Sequence, residues 1–171
     1  MQWQARQCLT AIAALMVFWI TVRTVKYLFV TDPDVIRYLW YLYYLPMLMI
    51  PFLAVFVAAS LGKPEHYRLP RRTHILYIPA AALVLLVLSN DLHQLVFVFP
   101  QDAAVWRDND YTRGPGYFVV IACMAVCALI AVGIMLRRCR TANGRKAVWL
   151  PLLLLPISLI YSVLYAFYIE D

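Results

Sequence analysis

Long apolar runs alternate with short charged stretches along the whole chain. A membrane-crossing helix needs about 20 apolar residues, because the hydrocarbon core is about 30 Å thick and each helical residue rises about 1.5 Å. Five runs meet this length, at residues 8–30, 38–61, 73–90, 117–136 and 147–168. The pattern predicts an all-α fold, a polytopic transmembrane helical bundle that forms one membrane domain over residues 1–171, with an outer loop at 91–116.

Composition excludes the two alternatives to a membrane protein. The chain is 64% hydrophobic and 14% charged, whereas soluble domains are about half apolar and about a quarter charged. A disordered chain would have low hydrophobicity and high net charge. The first run has a second interpretation, since Arg6 precedes an apolar segment as a signal peptide would have it. No small-x-small cleavage site follows, so a retained span is favoured, with Arg23 and Lys26 extending to the headgroups.

The basic residues predict the orientation of the spans. Cytoplasmic connections of membrane proteins are enriched in Lys and Arg. One set of connections holds Lys63, Arg68, Arg71, Arg72, Arg137, Arg138, Arg140, Arg145 and Lys146. The other side holds nearly all the acids, so the N-terminus is predicted to be cytoplasmic and the C-terminus outside. The net charge of +6 and the pI of about 9.3 then indicate contact with anionic membrane lipids, and not nucleic-acid binding.

No catalytic or cofactor-binding pattern accompanies the spans. The sequence has no Gly-rich phosphate loop and no Ser/His/Asp arrangement. Cys123 and Cys127 lie four residues apart on one face of the fourth span and could ligate a metal, but that span offers no histidine or charged partner. Small packing residues are the favoured interpretation. We therefore expect no enzyme activity, no cofactor and no metal.

Prolines interrupt three of the spans. Each removes a backbone donor and favours a kink, at Pro46, Pro51, Pro79, Pro151 and Pro156. The segments 45–51 and 150–156 resemble each other and would run in opposite directions through the bilayer. Inverted repeats are typical of transporters, although independent kinks would give the same pattern.

Aromatic and polar side chains concentrate where the second and third spans meet the outer leaflet. Tyr38 and Tyr41 are interpreted as part of a headgroup-level aromatic belt. Tyr44, with Leu48 one turn later, is predicted to face the bundle interior.

The polar end of the third span allows two interpretations. Asn90, Asp91 and His93 either cap the helix and turn the chain into the loop, or form the polar floor of an outward-facing ligand pocket. In the second interpretation Tyr44, Tyr161 and Tyr165 would be the walls of that pocket.

Four segments carry a family resemblance. They are Tyr-Leu-Tyr-Tyr-Leu-Pro at 41–46, Asn-Asp-Leu-His-Gln-Leu-Val-Phe at 90–97, Tyr-Thr-Arg-Gly-Pro-Gly-Tyr-Phe at 111–118 and Arg-Lys-Ala at 145–147. In this order they resemble the seven-helix N-terminal sensor region of bacterial membrane histidine kinases, over roughly 40–165. The resemblance implies that the five spans match the second to sixth helices of that region, in the orientation that the charges predict.

The chain departs from such a kinase in two respects. The first and seventh helices have no counterpart, and there is no phospho-acceptor His-Glu-x-x-x-Pro motif or nucleotide-binding box. His66, which follows Glu65, does not match that motif. Kinase activity is therefore not implied, and a truncated sensor, a fragment of a longer gene and a stand-alone relative all stay open.

Three functions are compatible with these patterns. The leading hypothesis is a sensing module of the bacterial plasma (inner) membrane that binds a small or lipophilic ligand near the outer leaflet. Kinked second and fifth spans would pass the change to the basic loops. A small transporter or half-transporter is the alternative, although the middle thirds of the spans carry no acid, lysine or arginine. A third is a structural subunit that packs on a kinase, on another membrane protein or on a second copy.

Overall fold

The structure is a computed structural model that describes residues 3–60, 63, 70–100 and 111–138. Most of these residues are helical. The helices are α1 (Trp3–Leu28), α2 (Pro33–Leu42), α3 (Tyr44–Ser60), a 3₁₀ helix (Arg71–Leu76), α4 (Tyr77–Leu88), α5 (Asn90–His93) and α6 (Pro115–Arg138). Two short strands, β1 (Phe97–Val98) and β2 (Thr112–Arg113), separate α5 from α6.

Three helical units of the described residues are long and apolar enough to cross a bilayer. They are Trp3–Leu28, Pro33–Ser60 and Pro115–Arg137. The predicted span 73–90 differs, because α4 has only 12 residues. The 3₁₀ helix before it rises about 2.0 Å per residue, so the two together reach about 30 Å. The predicted span 147–168 lies outside the described residues.

Large apolar side chains cover the outside of these helices. Val17 and Ile20 on α1, Leu85 on α4 and Leu129 on α6 are all more than 60% exposed. Lipid can solvate such surfaces, and every backbone group of a helix is bonded internally. The chain is therefore a multi-pass membrane protein.

The second predicted span is divided by a break between α2 and α3. Asp32 caps α2 by accepting hydrogen bonds from the backbone N–H groups of Asp34 and Val35, and Pro33 takes the first helical position. Pro46 has no N–H to donate to the carbonyl of Leu42, so the α-helix is interrupted at Tyr43. Pro51, by contrast, lies inside a continuous α3.

The central helix is α3, which packs mainly against α6 and α1 and also against α4. Two buried clusters lie along it. One joins Tyr44 and Leu48 to α4, α6 and β1, and the other joins Phe52 through Ala58 to Ala80 and Ala131. Because Tyr44 is level with the start of α6 and Ala58 with its second half, α3 and α6 run parallel. We call the two ends of the bundle the aromatic end (Tyr44) and the basic end (Ser60).

The described residues of the predicted basic loops follow this arrangement. Lys63 is the third residue after the end of α3, the 3₁₀ helix begins at Arg71 and Arg72, and α6 ends at Arg137 and Arg138. All of these belong to the basic end. Other predicted residues lie outside the described part, namely Arg68, Arg140, Arg145, Lys146, Pro151 and Pro156.

Lys26 does not extend to the headgroups as predicted. Its side chain is buried, with 4% exposure. The ammonium group lies 4.9 Å from the centre of the Tyr27 ring and 5.8 Å from that of the Tyr43 ring. Attraction to the negative faces of these rings stabilises the ammonium charge. The contact with Tyr43 places that charge beside the break between α2 and α3.

The described parts of the connection at 91–116 contain two short strands, so the fold is not purely helical as predicted. After the short helix α5, β1 and β2 pair antiparallel, with Phe97 opposite Arg113 and Val98 opposite Thr112. We call residues 94–98 and 111–116 together the cap. It covers the aromatic end of the bundle.

Candidate functional site

Asn90 anchors the cap to the end of the bundle. Its side chain is fully buried. The amide oxygen accepts hydrogen bonds from the backbone N–H groups of Val96 and Phe97, both at 3.0 Å. The amide nitrogen donates to the carbonyl of Phe97 at 2.8 Å and to the Tyr41 hydroxyl at 3.3 Å. An asparagine amide has two donors and two acceptor positions, so its hydrogen-bonding capacity is used completely.

The network extends from α5 to α2 through Asp91, Tyr41 and Arg37. The Tyr41 hydroxyl donates to Asp91 Oδ1 at 2.6 Å. The other carboxylate oxygen of Asp91 lies 3.2 Å from an Arg37 guanidinium nitrogen, which is also 3.2 Å from the exposed carboxylate of Asp34. Arg37 and Asp91 are each 23% exposed, so water screens this ion pair less than a surface pair. We call Arg37, Tyr41, Asn90 and Asp91 the polar lock.

Phe97 is the apolar counterpart of the polar lock. It is fully buried inside a group of aromatic rings whose centres lie 4.5–6.1 Å from its own. These rings belong to Trp40, Tyr41, Tyr44, Tyr111 and Tyr117. Tilted and edge-to-face contacts of this kind add about 0.5–1.5 kcal/mol each beyond area burial. The cap is thus held by one buried ring and one buried amide.

Two glycines let the strands of the cap approach each other. Gly114 donates its N–H to the carbonyl of Val96 at 2.9 Å, and Gly116 donates to that of Leu95 at 2.8 Å. A Cβ on Gly114 would lie 2.2 Å from the Leu95 carbonyl oxygen. Only glycine fits at this crossing. We call these two backbone hydrogen bonds the clasp.

The structure brings together four of the predicted pocket residues. Tyr44 is buried, as predicted, and lies beside the polar lock. Asn90 and Asp91 belong to the lock, and His93 bonds to Ser89 and Leu95 within the same turn. The hydrogen bonds of Asn90 and His93 hold the chain where it passes from α5 into the cap. Tyr161 and Tyr165 lie outside the described residues.

Sequence reasoning missed three important residues, Arg37, Tyr41 and Phe97. The placing of Tyr41 in the aromatic belt is wrong, because its side chain is fully buried, whereas Tyr38 is 51% exposed. Helical spacing could have found it. Tyr41 precedes Tyr44 by three residues and Leu48 by seven, which puts all three on one face.

The described residues contain no group of three or more His, Cys, Asp or Glu side chains that could hold a metal. Cys123 and Cys127 are free thiols packed beside the cluster at the basic end. Within the polar lock the Tyr41 hydroxyl and the Asp91 carboxylate are bonded to each other. What its geometry can do is mechanical, because it ties movement of the cap to α2 and, through Tyr44, to α3.

Comparison with known proteins identifies this architecture. The family model described as the N-terminal 7TM region of histidine kinase matches residues 2–171. No curated protein and no solved structure matches the chain. The matched region is a non-catalytic membrane sensor domain. The chain therefore belongs to the family of N-terminal seven-transmembrane sensor regions of histidine kinases.

Proposed function

We propose that this chain senses a small or lipophilic ligand near the outer leaflet of the bacterial inner membrane, with no catalytic activity of its own. The observation that carries this proposal is the polar lock. A buried hydrogen-bond network with an ion pair has two discrete states, closed and broken, and a ligand that binds one state better shifts the equilibrium. Family membership favours sensing over the transport alternative.

The signal would travel along the second span. Movement of the cap displaces Asp91 and Asn90, and these pull on Arg37 and Tyr41 of α2. Since α2 meets α3 at the break before Pro46, rotation there changes the packing of α3 against α6. Lys63 follows α3 and α6 ends in two arginines, and these basic residues would present the change to a kinase, another membrane subunit or a second copy of the chain.

We further propose five spans within one membrane domain, with the N-terminus cytoplasmic and the C-terminus outside. The gathering of Lys63, Arg71 and Arg137 at the basic end supports this orientation. The polar lock and the cap would then face the outside, where a ligand can reach them.

Labelling of single cysteines tests the orientation. In a background without the native cysteines, Thr112→Cys should react with a membrane-impermeant maleimide added to intact cells, and Lys63→Cys should react only after the membrane is opened. Both positions are exposed, so accessibility is set by the side of the membrane. Equal labelling of the two positions in intact cells would contradict the orientation.

Asp91→Asn tests the sensing function. Losing this half-buried charge should shift the lock by about 1 kcal/mol, and the phosphorylated fraction of the cognate response regulator should change about fivefold. Phosphate-affinity gels of each response regulator in the native host measure this fraction.

Asp34→Asn is the matched control. It makes the same chemical change on the same Arg37 guanidinium, but at a carboxylate that is 74% exposed, so we expect almost no effect. The sensing proposal fails when neither Asp91→Asn nor deletion of the gene alters any response regulator.

A further inference from the structure

Both ring nitrogens of His93 have hydrogen-bond partners, and the role of each partner as donor or acceptor is fixed. Nδ1 accepts a hydrogen bond from the backbone N–H of Leu95 at 3.0 Å, so Nδ1 carries no proton. Ser89 Oγ donates its single proton to the carbonyl of Leu85 at 2.7 Å. At 3.2 Å from His93 Nε2, that oxygen can therefore only accept. The closed turn requires a neutral imidazole with its proton on Nε2.

The turn that His93 holds is the one on which the clasp depends. Leu95 donates to His93 and accepts from Gly116 through its carbonyl, and Val96 accepts from Gly114. Gln94, which lies between His93 and Leu95, has a positive φ of 48°. This backbone conformation is uncommon for residues other than glycine. Gly114 lies so close to Leu95 that a Cβ on Gly114 would be 2.2 Å from the Leu95 carbonyl oxygen. A shift of Leu95 must disturb both hydrogen bonds of the clasp.

We propose that His93 is a proton-operated latch for the cap. A proton on Nδ1 turns an acceptor into a donor and sets it against the N–H of Leu95, so the hydrogen bond is replaced by repulsion. Because the closed turn binds the neutral ring, the latch is stable at high pH and opens as the pH falls. Histidines change charge between about pH 5 and 8. The proposal deepens the sensing function above and rests on it for its physiological meaning.

The neighbouring charges have partners of their own. Among the described residues, the charged and titratable groups on α2, α5, the cap and the start of α6 include Asp34, Arg37, Tyr41, Asp91, Tyr111, Arg113 and Tyr117. Asp91 is bonded to Arg37 and Tyr41, and the Arg113 guanidinium lies 5.5 Å from the centre of the Tyr117 ring. Protonation of His93 therefore changes the turn at Leu95 directly, and the polar lock only through the cap.

Two variants separate the latch from the fold. His93→Asn keeps an acceptor, since an asparagine side chain bonds the backbone N–H two residues on, and it cannot be protonated. His93→Ala removes the acceptor at every pH. Amide hydrogen exchange of residues 94–98, in the full chain in lipid nanodiscs, reports the opening. Comparing wild type and His93→Asn at the same pH cancels the intrinsic pH dependence of exchange.

Between about pH 8 and about pH 5, exchange at 94–98 in wild type should rise about fivefold relative to His93→Asn, as expected for one lost hydrogen bond. His93→Ala should exchange fast throughout, and His66→Asn should behave like wild type. An equal pH response in wild type and His93→Asn would overturn the latch.

Imidazole ¹⁵N spectra give a second test on the unmodified chain. The His93 signal, assigned by its loss in His93→Asn, should show the Nε2-protonated tautomer at high pH. An Nδ1-protonated ring would refute the latch, even where variants fold poorly. Neither measurement involves a response regulator, so the latch and the sensing function can fail independently.

Discussion

Replacing Gly114 with alanine should destabilise the protein by about 3 kcal/mol. The new Cβ would lie 2.2 Å from the carbonyl oxygen and 2.8 Å from the carbonyl carbon of Leu95. Both are backbone atoms, which cannot rotate away as a side chain could. Relief therefore requires the two sides of the cap to separate, and the hydrogen bond from Gly114 to Val96 is lost. The free energy of unfolding, measured by titration with sodium dodecyl sulfate in mixed micelles, reports this loss.

Gly133→Ala is the matched control and should have the opposite sign. Gly133 lies within α6, and a Cβ there would meet nothing within 4 Å. Alanine in a helix is more favourable than glycine by about 0.5–1 kcal/mol, because the unfolded glycine chain has more freedom to lose. Similar unfolding free energies for the two variants would refute the close approach at Gly114.

The helical spans could be predicted because lipid leaves few alternatives. A backbone without water must satisfy its own hydrogen bonds, so length and apolar content are sufficient to find a spanning helix. This worked for α1 and α6, whose bounds differ from the predicted spans by a few residues. It worked less well for α4, because hydropathy cannot tell a 3₁₀ turn from an α-helix.

The effect of each proline depended on its surroundings. Pro46 interrupts the helix at Tyr43, while Pro51 is accommodated inside α3 and Pro79 in the first turn of α4. A proline in a first turn lacks an N–H that would have no intrahelical partner in any case. Sequence alone gives the missing donor, but whether the helix continues is decided by its packing.

The cap could not be predicted from local patterns. Each strand is two residues long, which is too short to show an alternation of polar and apolar positions. What fixes the strands is distant in sequence. Asn90 reaches Val96 and Phe97, and Gly114 meets Leu95 across the segment between the strands. The turn residues at 114–116 predict a change of chain direction, but they do not predict which backbone carbonyl will contact them.

Two of the four residues of the polar lock could be predicted from the sequence, and the other two could not for a related reason. Asn90 and Asp91 were singled out because polar groups at the end of an apolar span need partners. Their partners on α2 were not, because an amphipathic tyrosine near a helix end satisfies two environments equally well. The exposed Tyr38 and the buried Tyr41 have similar residues around them in the sequence. Two features distinguish Tyr41, namely its hydrogen bond to Asp91 and its place on one helical face with Tyr44 and Leu48.

Replacing Asn90 with alanine should cost about 3–4 kcal/mol, the largest effect that we expect for a side chain of the polar lock. The change leaves two backbone N–H groups and one carbonyl, at Val96 and Phe97, without their buried partner. Each orphaned group costs about 1–3 kcal/mol. Unfolding in mixed micelles measures the total. Gln94→Ala removes an amide that is exposed and bonded only weakly to Phe99, at 3.4 Å, and should change stability by less than about 0.5 kcal/mol.

Asn90→Asp decides between the two roles that the turn interpretation leaves for this residue. Aspartate caps helices about as well as asparagine, so a capping role would leave stability almost unchanged. An anchoring role predicts a loss like that of Asn90→Ala, because a carboxylate oxygen would replace the amide nitrogen that donates to the Phe97 carbonyl, and two acceptors would face each other in a buried site. The absence of a side-chain capping hydrogen bond at the start of α5 favours the anchor. If the aspartate variant were as stable as wild type, the anchoring role of Asn90 would be refuted.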